Sequence, residues 1–211
     1  MRKQIELLLK LEVIVSSQST SYSQVLVVPK TDPEPDPGTY RFCLDYRNLN
    51  THIKSFGWRV PVIKELLQRL GYKRNGYFGV IDLTSGYHQA AIAPECRKHT
   101  AFITFMGIYE WARVPMGLKS SGSYFQEMMA AIVLIGLVYI ICEVYMDDVL
   151  IHGKDPKDFM NNLRQVFERF RKHKITVNPR KCILGLTEVT FVGHRINKDG
   201  PHSLKNEYKE Y

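Results

Sequence analysis

The sequence lacks the features of a disulfide-rich, zinc-binding or membrane-spanning protein. Its four cysteines form no CxxC pair and have no histidine at zinc-finger spacing. The longest uncharged apolar run, residues 128–142, is shorter than the roughly 20 residues that a membrane-spanning helix needs. The charged N-terminal segment is unlike a signal peptide. We therefore expect an intracellular protein with free thiols, which is not secreted and has no membrane partner.

Basic residues are missing from one long segment of an otherwise basic chain. The 211 residues include 29 Lys and Arg against 21 Asp and Glu, a formal net charge of +8. Between Lys119 and Lys154 there is no Lys or Arg, and the charged residues there are all acidic: Glu127, Glu143, Asp147 and Asp148. The basic excess favours a polyanionic partner such as nucleic acid, with a solvated basic surface as the alternative. The acidic, apolar segment needs a separate explanation.

Hydrophobic patterning predicts an α+β protein, because strands and helices mix without regular βαβ alternation. Helices are expected to begin at Pro61, at Ser121 and after Asp155. Apolar strands are expected at residues 78–83, 137–146, 149–151 and 190–196.

Two adjacent carboxylates, Asp147 and Asp148, separate two of these apolar segments. A tight turn would hold both at the end of a hairpin, where they repel each other and lose hydration. A divalent cation would offset both costs. The alternative is a solvated turn, in which Asp is common.

A third carboxylate, Asp82, ends the apolar run at residues 78–83. By itself it could be the N-cap of a helix. Together with Asp147 and Asp148 it would supply three carboxylates on neighbouring strands, a ligand set that suits Mg²⁺ or Mn²⁺. Two such ions about 3.5–4 Å apart stabilise the attacking and leaving oxygens of an in-line phosphoryl displacement.

The segment Tyr145-Met146-Asp147-Asp148 resembles the YxDD box of reverse transcriptases. Seven further segments follow the order seen in gypsy-type LTR retrotransposons: residues 42–50, 82–89, 98–102, 115–118, 125–126, 181–182 and 191–194. Several boxes in matching order are far more specific than one four-residue box. The chain is thereby identified as similar to the reverse transcriptase of a retrotransposon Pol polyprotein.

The resemblance implies the fingers and palm of a right-handed polymerase, with the palm a ferredoxin-like antiparallel sheet backed by helices. Fingers are expected at residues 1–56 and 90–120, and palm at 57–89 and 121–204, with a disordered stub at 205–211 and no thumb or RNase H in the chain. Implied partners are an RNA or DNA template-primer, dNTPs and the rest of the polyprotein (thumb, RNase H and integrase). The implied location is the cytoplasm, within virus-like particles, or the nucleus.

The resemblance also implies roles for individual residues. Asp82, Asp147 and Asp148 match the catalytic triad, which with the backbone of Leu83 would hold two Mg²⁺ ions, or Mn²⁺. The residues implied in nucleotide binding are Lys30 and Arg41 at the triphosphate, Tyr87 under the sugar, and Met116 and Gly117 near the template base. The residues implied in template-primer binding are Tyr145, Met146, Phe191, Val192, Gly193 and His194.

Three functions are compatible with these residues. The first is an RNA-directed DNA polymerase domain that joins a dNTP to a primer 3′-hydroxyl. The second is a truncated retroelement remnant that binds nucleic acid but is inactive or poorly active, as a missing thumb would favour. The third, a two-metal nuclease, explains the acids but leaves Arg41 and Tyr87 unexplained.

Overall fold

The computed structural model describes residues 1–29, 40–54 and 57–203, and the side chain of Arg41 is not described. Lys30 and the predicted stub at 205–211 lie outside these residues. The chain divides into two compact units, the first formed by Met1–Phe56 and Tyr87–Ser121 and the second by Gly57–Gly86 and Gly122–Tyr211. The sequence-based boundaries of fingers and palm stay a prediction.

Helices and strands alternate irregularly along the described residues. The helices are α1 (Arg2–Lys10), α2 (Arg47–His52), α3 (Ile63–Lys73), α4 (Pro94–Arg97), α5 (Ser121–Glu127), which continues as a wider turn over Met128–Val133, and α6 (Pro156–His173). The strands are β1 (Ile14–Ser16), β2 (Val25–Pro29), β3 (Tyr40–Leu44), β4 (Tyr77–Asp82), β5 (Phe102–Thr104), β6 (Gly107–Trp111), β7 (Cys142–Tyr145), β8 (Asp148–Gly153), β9 (Ile183–Leu186), β10 (Glu188–Phe191), β11 (His194–Asn197) and β12 (Gly200–Ser203).

The first unit is built on two small antiparallel sheets, one with the strand order β1-β6-β5 and one formed by β2 and β3. Its core is largely aromatic. Phe102 is fully buried and packs edge-on against Phe42, with ring centroids 5.6 Å apart. The buried Tyr46 hydroxyl donates to the carbonyl of Thr100 at 2.9 Å. This bond links the segment after β3 to the segment before β5.

The second unit contains a four-stranded antiparallel sheet with the order β7-β8-β4-β9, and a smaller antiparallel sheet of β10, β11 and β12. Leu66, Leu67 and Leu70 of α3 form one apolar face, which packs on Phe78 of β4 and Leu150 of β8. Val189, Phe191 and Ile196 of the smaller sheet complete this cluster.

Helix α6 packs closely against the end of β8. A Cβ atom built on Gly153 would lie 2.5 Å from the backbone nitrogen of Phe159, so only glycine fits there. Asp155 caps the helix by accepting the N–H of Asp158 at 2.9 Å, and Pro156 occupies the first turn. The helix expected after Asp155 is therefore confirmed, including its cap.

Two strand predictions require correction. Of residues 137–146, only Cys142–Tyr145 forms a strand, because Ile140 and Ile141 both donate to the carbonyl of Leu137 and close a turn. The single strand expected at 190–196 is two strands, since the chain reverses at Val192 and Gly193. An apolar run shows that a segment is buried, but not where it turns.

The mixture of helices and antiparallel sheets confirms the predicted α+β class. In the described part of the chain, no helix has both the length and the apolar character needed to cross a bilayer.

Candidate active site

Sheet register in the second unit brings the predicted acids to one edge. Asp82, the last residue of β4, is the direct cross-strand partner of Asp148, the first residue of β8. Asp148 is also the partner of Tyr145 at the end of β7, so Asp147 lies in the turn between these strands. Directly opposed residues on antiparallel strands are neighbours. The three carboxylates predicted from sequence therefore belong to one local group.

The β7–β8 turn is tight, and Gln126 of α5 binds it. Met146 has a left-handed backbone conformation with φ of 53°. Gln126 is buried; its Nε2 donates to the carbonyl of Val144 at 3.1 Å, and its Oε1 accepts the N–H of Met146 at 2.7 Å. Together these two bonds fix the backbone immediately before Asp147.

Glycine allows a second segment to approach this turn. Gly86 is buried, and a Cβ atom built on it would lie 3.6 Å from Cβ of Asp147 and 3.3 Å from Cζ of Phe125. The second of these contacts is tighter than most Cβ atoms make. Gly86 therefore packs directly against the Asp147 side chain, and a larger side chain at this position would press on Phe125 and Asp147.

Burial and mutual repulsion disfavour the state in which all three carboxylates are ionised and no cation is bound. Partial burial of the carboxyl group and, second, the negative charge of Asp82 raise the pKa of Asp148. The Oδ1 atom of Asp147 is shielded from solvent. A bound cation would neutralise this repulsion, and carboxylate oxygens are the ligands that Mg²⁺ prefers.

The donor set fits Mg²⁺, but it is not preformed as a closed cage. Among residues 1–29, 40–54 and 57–203, no three acidic, His or Cys side chains converge closely enough to hold an ion. Leu83, whose backbone was predicted to contribute, is buried and bridges to Val177 just after Asp82.

The predicted primer-binding residues form a second tight turn in the same unit. Phe191 and His194 are cross-strand partners, and Val192 and Gly193 between them have φ of 48° and 72°. A two-residue turn with positive φ at both positions matches the twist of the two strands that it joins, and it is therefore a common hairpin turn. Tyr145 and Val192 both pack on the cluster that contains Phe191. The structure thus links this turn to the strand that precedes Asp147.

The predicted nucleotide-binding residues belong to the first unit. Arg41 is in β3 and pairs with Val28, and Tyr87 is in a single helical turn, Gly86–Gln89. Met116 is 60% exposed, and Gly117 has φ of 95°. Asn50 accepts the N–H of Lys119 and donates to the carbonyl of Gly117, and so holds the loop that presents Met116.

Sequence reasoning missed a buried ionic network at the other end of β7. Glu143 has no exposed surface and accepts two bonds from Arg69 of α3, at 2.9 and 3.3 Å. Lys73 lies 4.0 Å from Glu143 and donates to the carbonyls of Tyr139 and Ile140. The sequence signal was the isolated Glu between the apolar residues of β7.

Replacing Gln126 with Met should destabilise the fold by about 2 kcal/mol, because the partly buried N–H of Met146 and the buried carbonyl of Val144 lose their bonds to Gln126 while side-chain volume is kept. Urea unfolding would measure this loss. The control, Gln68→Met, removes an exposed bond to Tyr72 and should cost less than about 0.5 kcal/mol. Equal effects of the two variants would contradict the role assigned to Gln126.

Paired carboxylates at the ends of adjacent antiparallel strands, beside a tight turn, suit a class of protein that binds divalent cations and transfers phosphoryl groups. Comparison with known proteins identifies the family. The family model described as "Reverse transcriptase (RNA-dependent DNA polymerase)" matches residues 28–196. The chain belongs to the reverse transcriptase family, and the predicted fingers-and-palm fold is confirmed.

Relatives of the chain are retrotransposon polyproteins. It is 35% identical over 198 residues to the retrovirus-related Pol polyprotein from transposon 412 of Drosophila melanogaster, covering 93% of this chain and 16% of that protein. It is 28% identical to the Tf2-3 polyprotein of Schizosaccharomyces pombe, covering 91% of this chain and 14% of that protein. The predicted gypsy-type relationship is confirmed. The chain spans less than a fifth of these relatives.

Solved structures of a viral enzyme have the same fold. The foamy viral protease-reverse transcriptase in complex with double-stranded DNA superposes with a TM-score of 0.85 at 27% identity, covering 97% of this chain and 34% of that one. The same enzyme with an RNA/DNA hybrid gives 0.85 at 26% identity, covering 97% and 26%.

Proposed function

We propose that the chain is an RNA-directed DNA polymerase domain of a retroelement Pol polyprotein, which transfers a nucleotide from a dNTP to a primer 3′-hydroxyl on an RNA or DNA template. The register that pairs Asp82 with Asp148, with Asp147 in the adjoining turn, is the observation that carries this proposal. Membership of the reverse transcriptase family supports the reaction class.

Asp82, Asp147 and Asp148 are proposed to hold two Mg²⁺ ions, with Mn²⁺ as a substitute and the backbone of Leu83 as an additional ligand. When bound, such ions lower the pKa of the primer hydroxyl and neutralise charge on the triphosphate. Asp82 and Asp147 act as the main ligands, and Asp148 assists. Gln126 keeps the turn in its conformation, so that the Asp147 carboxylate is positioned before substrate arrives.

The remaining predicted residues orient the substrates. Arg41 and Lys30 bind the triphosphate, the first through a planar guanidinium that matches phosphate oxygens. Met116 and Gly117 contact the template base. The turn at Phe191, Val192, Gly193 and His194, with Tyr145 and Met146, holds the primer end. The first unit corresponds to the fingers and the second to the palm.

Partners of this domain follow from the same proposal. The foamy viral enzyme was solved with double-stranded DNA and with an RNA/DNA hybrid, which supports a template-primer as the polyanionic partner of this basic chain. Thumb, RNase H and integrase segments of a longer polyprotein would complete the enzyme. The reaction would take place inside the cell, either in the cytoplasm, including virus-like particles, or in the nucleus.

Primer extension by the purified chain tests the function. We expect Mg²⁺-dependent addition of dNTPs to a primer on RNA and DNA templates, with short products because this chain covers only a small part of its relatives. Chelation by EDTA should abolish extension, and added Mg²⁺ should restore it. Nucleic-acid binding without extension at any Mg²⁺ or Mn²⁺ concentration would favour the inactive-remnant alternative.

Tyr87→Ala should admit ribonucleotides. Tyr87 follows Asp82 by five residues, at the position where the family has an aromatic ring under the sugar. Removal of the ring makes room for a 2′-hydroxyl, so discrimination between dNTP and rNTP should fall by roughly ten- to a hundredfold. Ratios of kcat/KM for the two substrates measure this change. Tyr72→Ala, at an exposed tyrosine, is the control, and the gate assignment fails if Tyr87→Ala keeps the parental ratio.

A further inference from the structure

A group of exposed cations lies at the C-terminal end of α6 and in the turn that follows it. Residues 169–181 contain six Lys or Arg and no Asp or Glu. Five of the six side chains are exposed, and none of these five forms an ion pair with a carboxylate in the part of the chain that the structure describes: Arg171, Lys172, Lys174, Arg180 and Lys181. Their positive charge is therefore available to a ligand.

The helix explains three of these cations but not the other two. Arg171 and Lys172 occupy the last turn of α6, and Lys174 is its C-cap residue, so all three interact favourably with the negative end of the helix dipole. Arg180 and Lys181 lie well beyond the C-cap. The dipole effect falls off within the last turn, so these two residues have no such role.

Contacts with the backbone of Asp82 hold the turn that carries Arg180 and Lys181. The N–H of Asn178 donates to the carbonyl of Asp82 at 2.9 Å, and the thiol of Cys182 lies 3.9 Å from the same oxygen. Within the turn, the carbonyl of Asn178 accepts the N–H of Lys181 at 3.1 Å, and its Oδ1 atom accepts that of Arg180 at 3.3 Å. Both ends of the turn are thus fixed on one of the three acids.

This attachment places the two cations close to the acidic group. Paired backbones have Cα atoms about 5.5 Å apart, and each further residue adds at most about 3.8 Å. Arg180 is two residues from Asn178, so its Cα atom lies within roughly 13 Å of that of Asp82. The long side chains of Arg180 and Lys181 can cover much of this distance.

A polyphosphate near Asp82, Asp147 and Asp148 needs positive groups besides any bound metal ions. The three carboxylates repel it, and the phosphates farthest from the reacting bond require charge partners of their own. Arg180 and Lys181 supply such partners from a turn whose backbone is already fixed, so that binding costs little backbone ordering.

We propose that Arg180 and Lys181 bind the terminal phosphates of an incoming dNTP, and the pyrophosphate released when the α-phosphorus bonds to the primer oxygen. This role rests on the proposed polymerase function and adds two residues of the second unit to the triphosphate ligands predicted from sequence. The occupant is a small polyphosphate rather than a nucleic-acid backbone, because the turn is fixed on Asp82, whereas the predicted primer contacts lie in another turn at residues 191–194.

Binding of inorganic tripolyphosphate to the metal-free chain tests the proposal without catalysis. Isothermal titration calorimetry should give a Kd on the order of 1 mM, which increases with added NaCl because the cations are exposed. Arg180→Gln combined with Lys181→Gln should weaken binding by about tenfold. The matched control, Lys157→Gln combined with Arg164→Gln, removes two exposed cations nearer the start of α6 and should change the Kd by less than about twofold. Equal effects of the two double variants would overturn the proposal.

A second measurement tests the site with the substrates of the reaction. A primer that ends in a dideoxynucleotide forms no bond, so the Kd of the matching dNTP can be measured with template-primer and Mg²⁺ present. The Arg180 and Lys181 double variant should raise this Kd by about tenfold and leave the affinity for template-primer unchanged. Weaker template-primer binding with an unaltered Kd for the dNTP would overturn the proposal and assign the turn to nucleic-acid binding.

The two measurements also separate this proposal from the proposed function. Tripolyphosphate binding that depends on Arg180 and Lys181, in a parental chain that neither binds a dNTP nor extends a primer, would support the polyphosphate site and contradict the polymerase function. Primer extension that is unaffected by the double variant, with no change in KM for the dNTP, would support the polymerase function and contradict the polyphosphate site.

Discussion

Asp147→Asn should lose nearly all primer extension while the fold is retained, and this is the largest effect that we expect from any single substitution. Asparagine keeps the shape of the side chain but removes the negative charge that attracts a divalent cation. Loss of a group of this kind commonly lowers turnover by 10³-fold or more, so we expect a decrease on the order of 10³-fold. Single-nucleotide extension at saturating Mg²⁺ measures the decrease.

The matched control for this variant is Asp199→Asn. Asp199 is an exposed acid between β11 and β12 in the same unit, so the substitution changes net charge equally without touching the site. It should keep parental activity. Extension by Asp147→Asn at the level of Asp199→Asn would remove Asp147 from the proposed metal ligands.

A thermal measurement separates metal binding from chemistry. A ligand that binds only the folded state raises its stability, so Mg²⁺ should raise the Tm of the parental chain and of Asp199→Asn. Asp147→Asn should show little or no such rise. Without metal it should be at least as stable as the parent, because it removes one of three neighbouring like charges. A clear destabilisation without metal would indicate a structural role for Asp147 instead.

The sequence predicts that the three acids lie close together, because the determinants of this arrangement are local. Asp82 ends an apolar strand, and Asp147-Asp148 interrupts another apolar segment, so strand ends alone place the carboxylates at an edge. Antiparallel pairing of β4 with β8 then brings them together. The α+β class and the capped helix α6 follow from equally local patterns of hydrophobicity and capping.

Other features depend on long-range contacts that local patterns do not reveal. The backbone groups that Gln126 binds are 18 and 20 residues away in sequence, and Arg69 reaches Glu143 across 74 residues. Residues 137–141 are apolar enough for a strand, yet they turn, and Lys73 binds the carbonyls that this turn exposes. The side chain of a Gln or Glu in an apolar segment indicates only that some partner must exist.

The buried ion pair leads to the second large prediction. Glu143→Leu should destabilise the second unit by about 3–5 kcal/mol, because it leaves the guanidinium of Arg69 and the ammonium of Lys73 near an apolar strand without their counter-charge. Glu143 raises the pKa of Arg69, mainly through the hydrogen bonds between them. A guanidinium stays protonated even without such a partner, so Arg69 does not relieve this cost by losing its proton in the variant. Urea unfolding measures the free-energy change.

A double variant shows whether the cost comes from the stranded charge or from lost packing. In Glu143→Leu with Arg69→Leu both partners are apolar, and replacement of a whole buried pair is often close to neutral. We therefore expect the double variant to recover most of the stability lost in Glu143→Leu. The control is Glu188→Leu, which removes a half-exposed ion pair with Arg195 at 3.7 Å and an exposed hydrogen bond from Asn197, and it should cost less than about 1 kcal/mol. If Glu143→Leu costs no more than Glu188→Leu, the network does not stabilise β7.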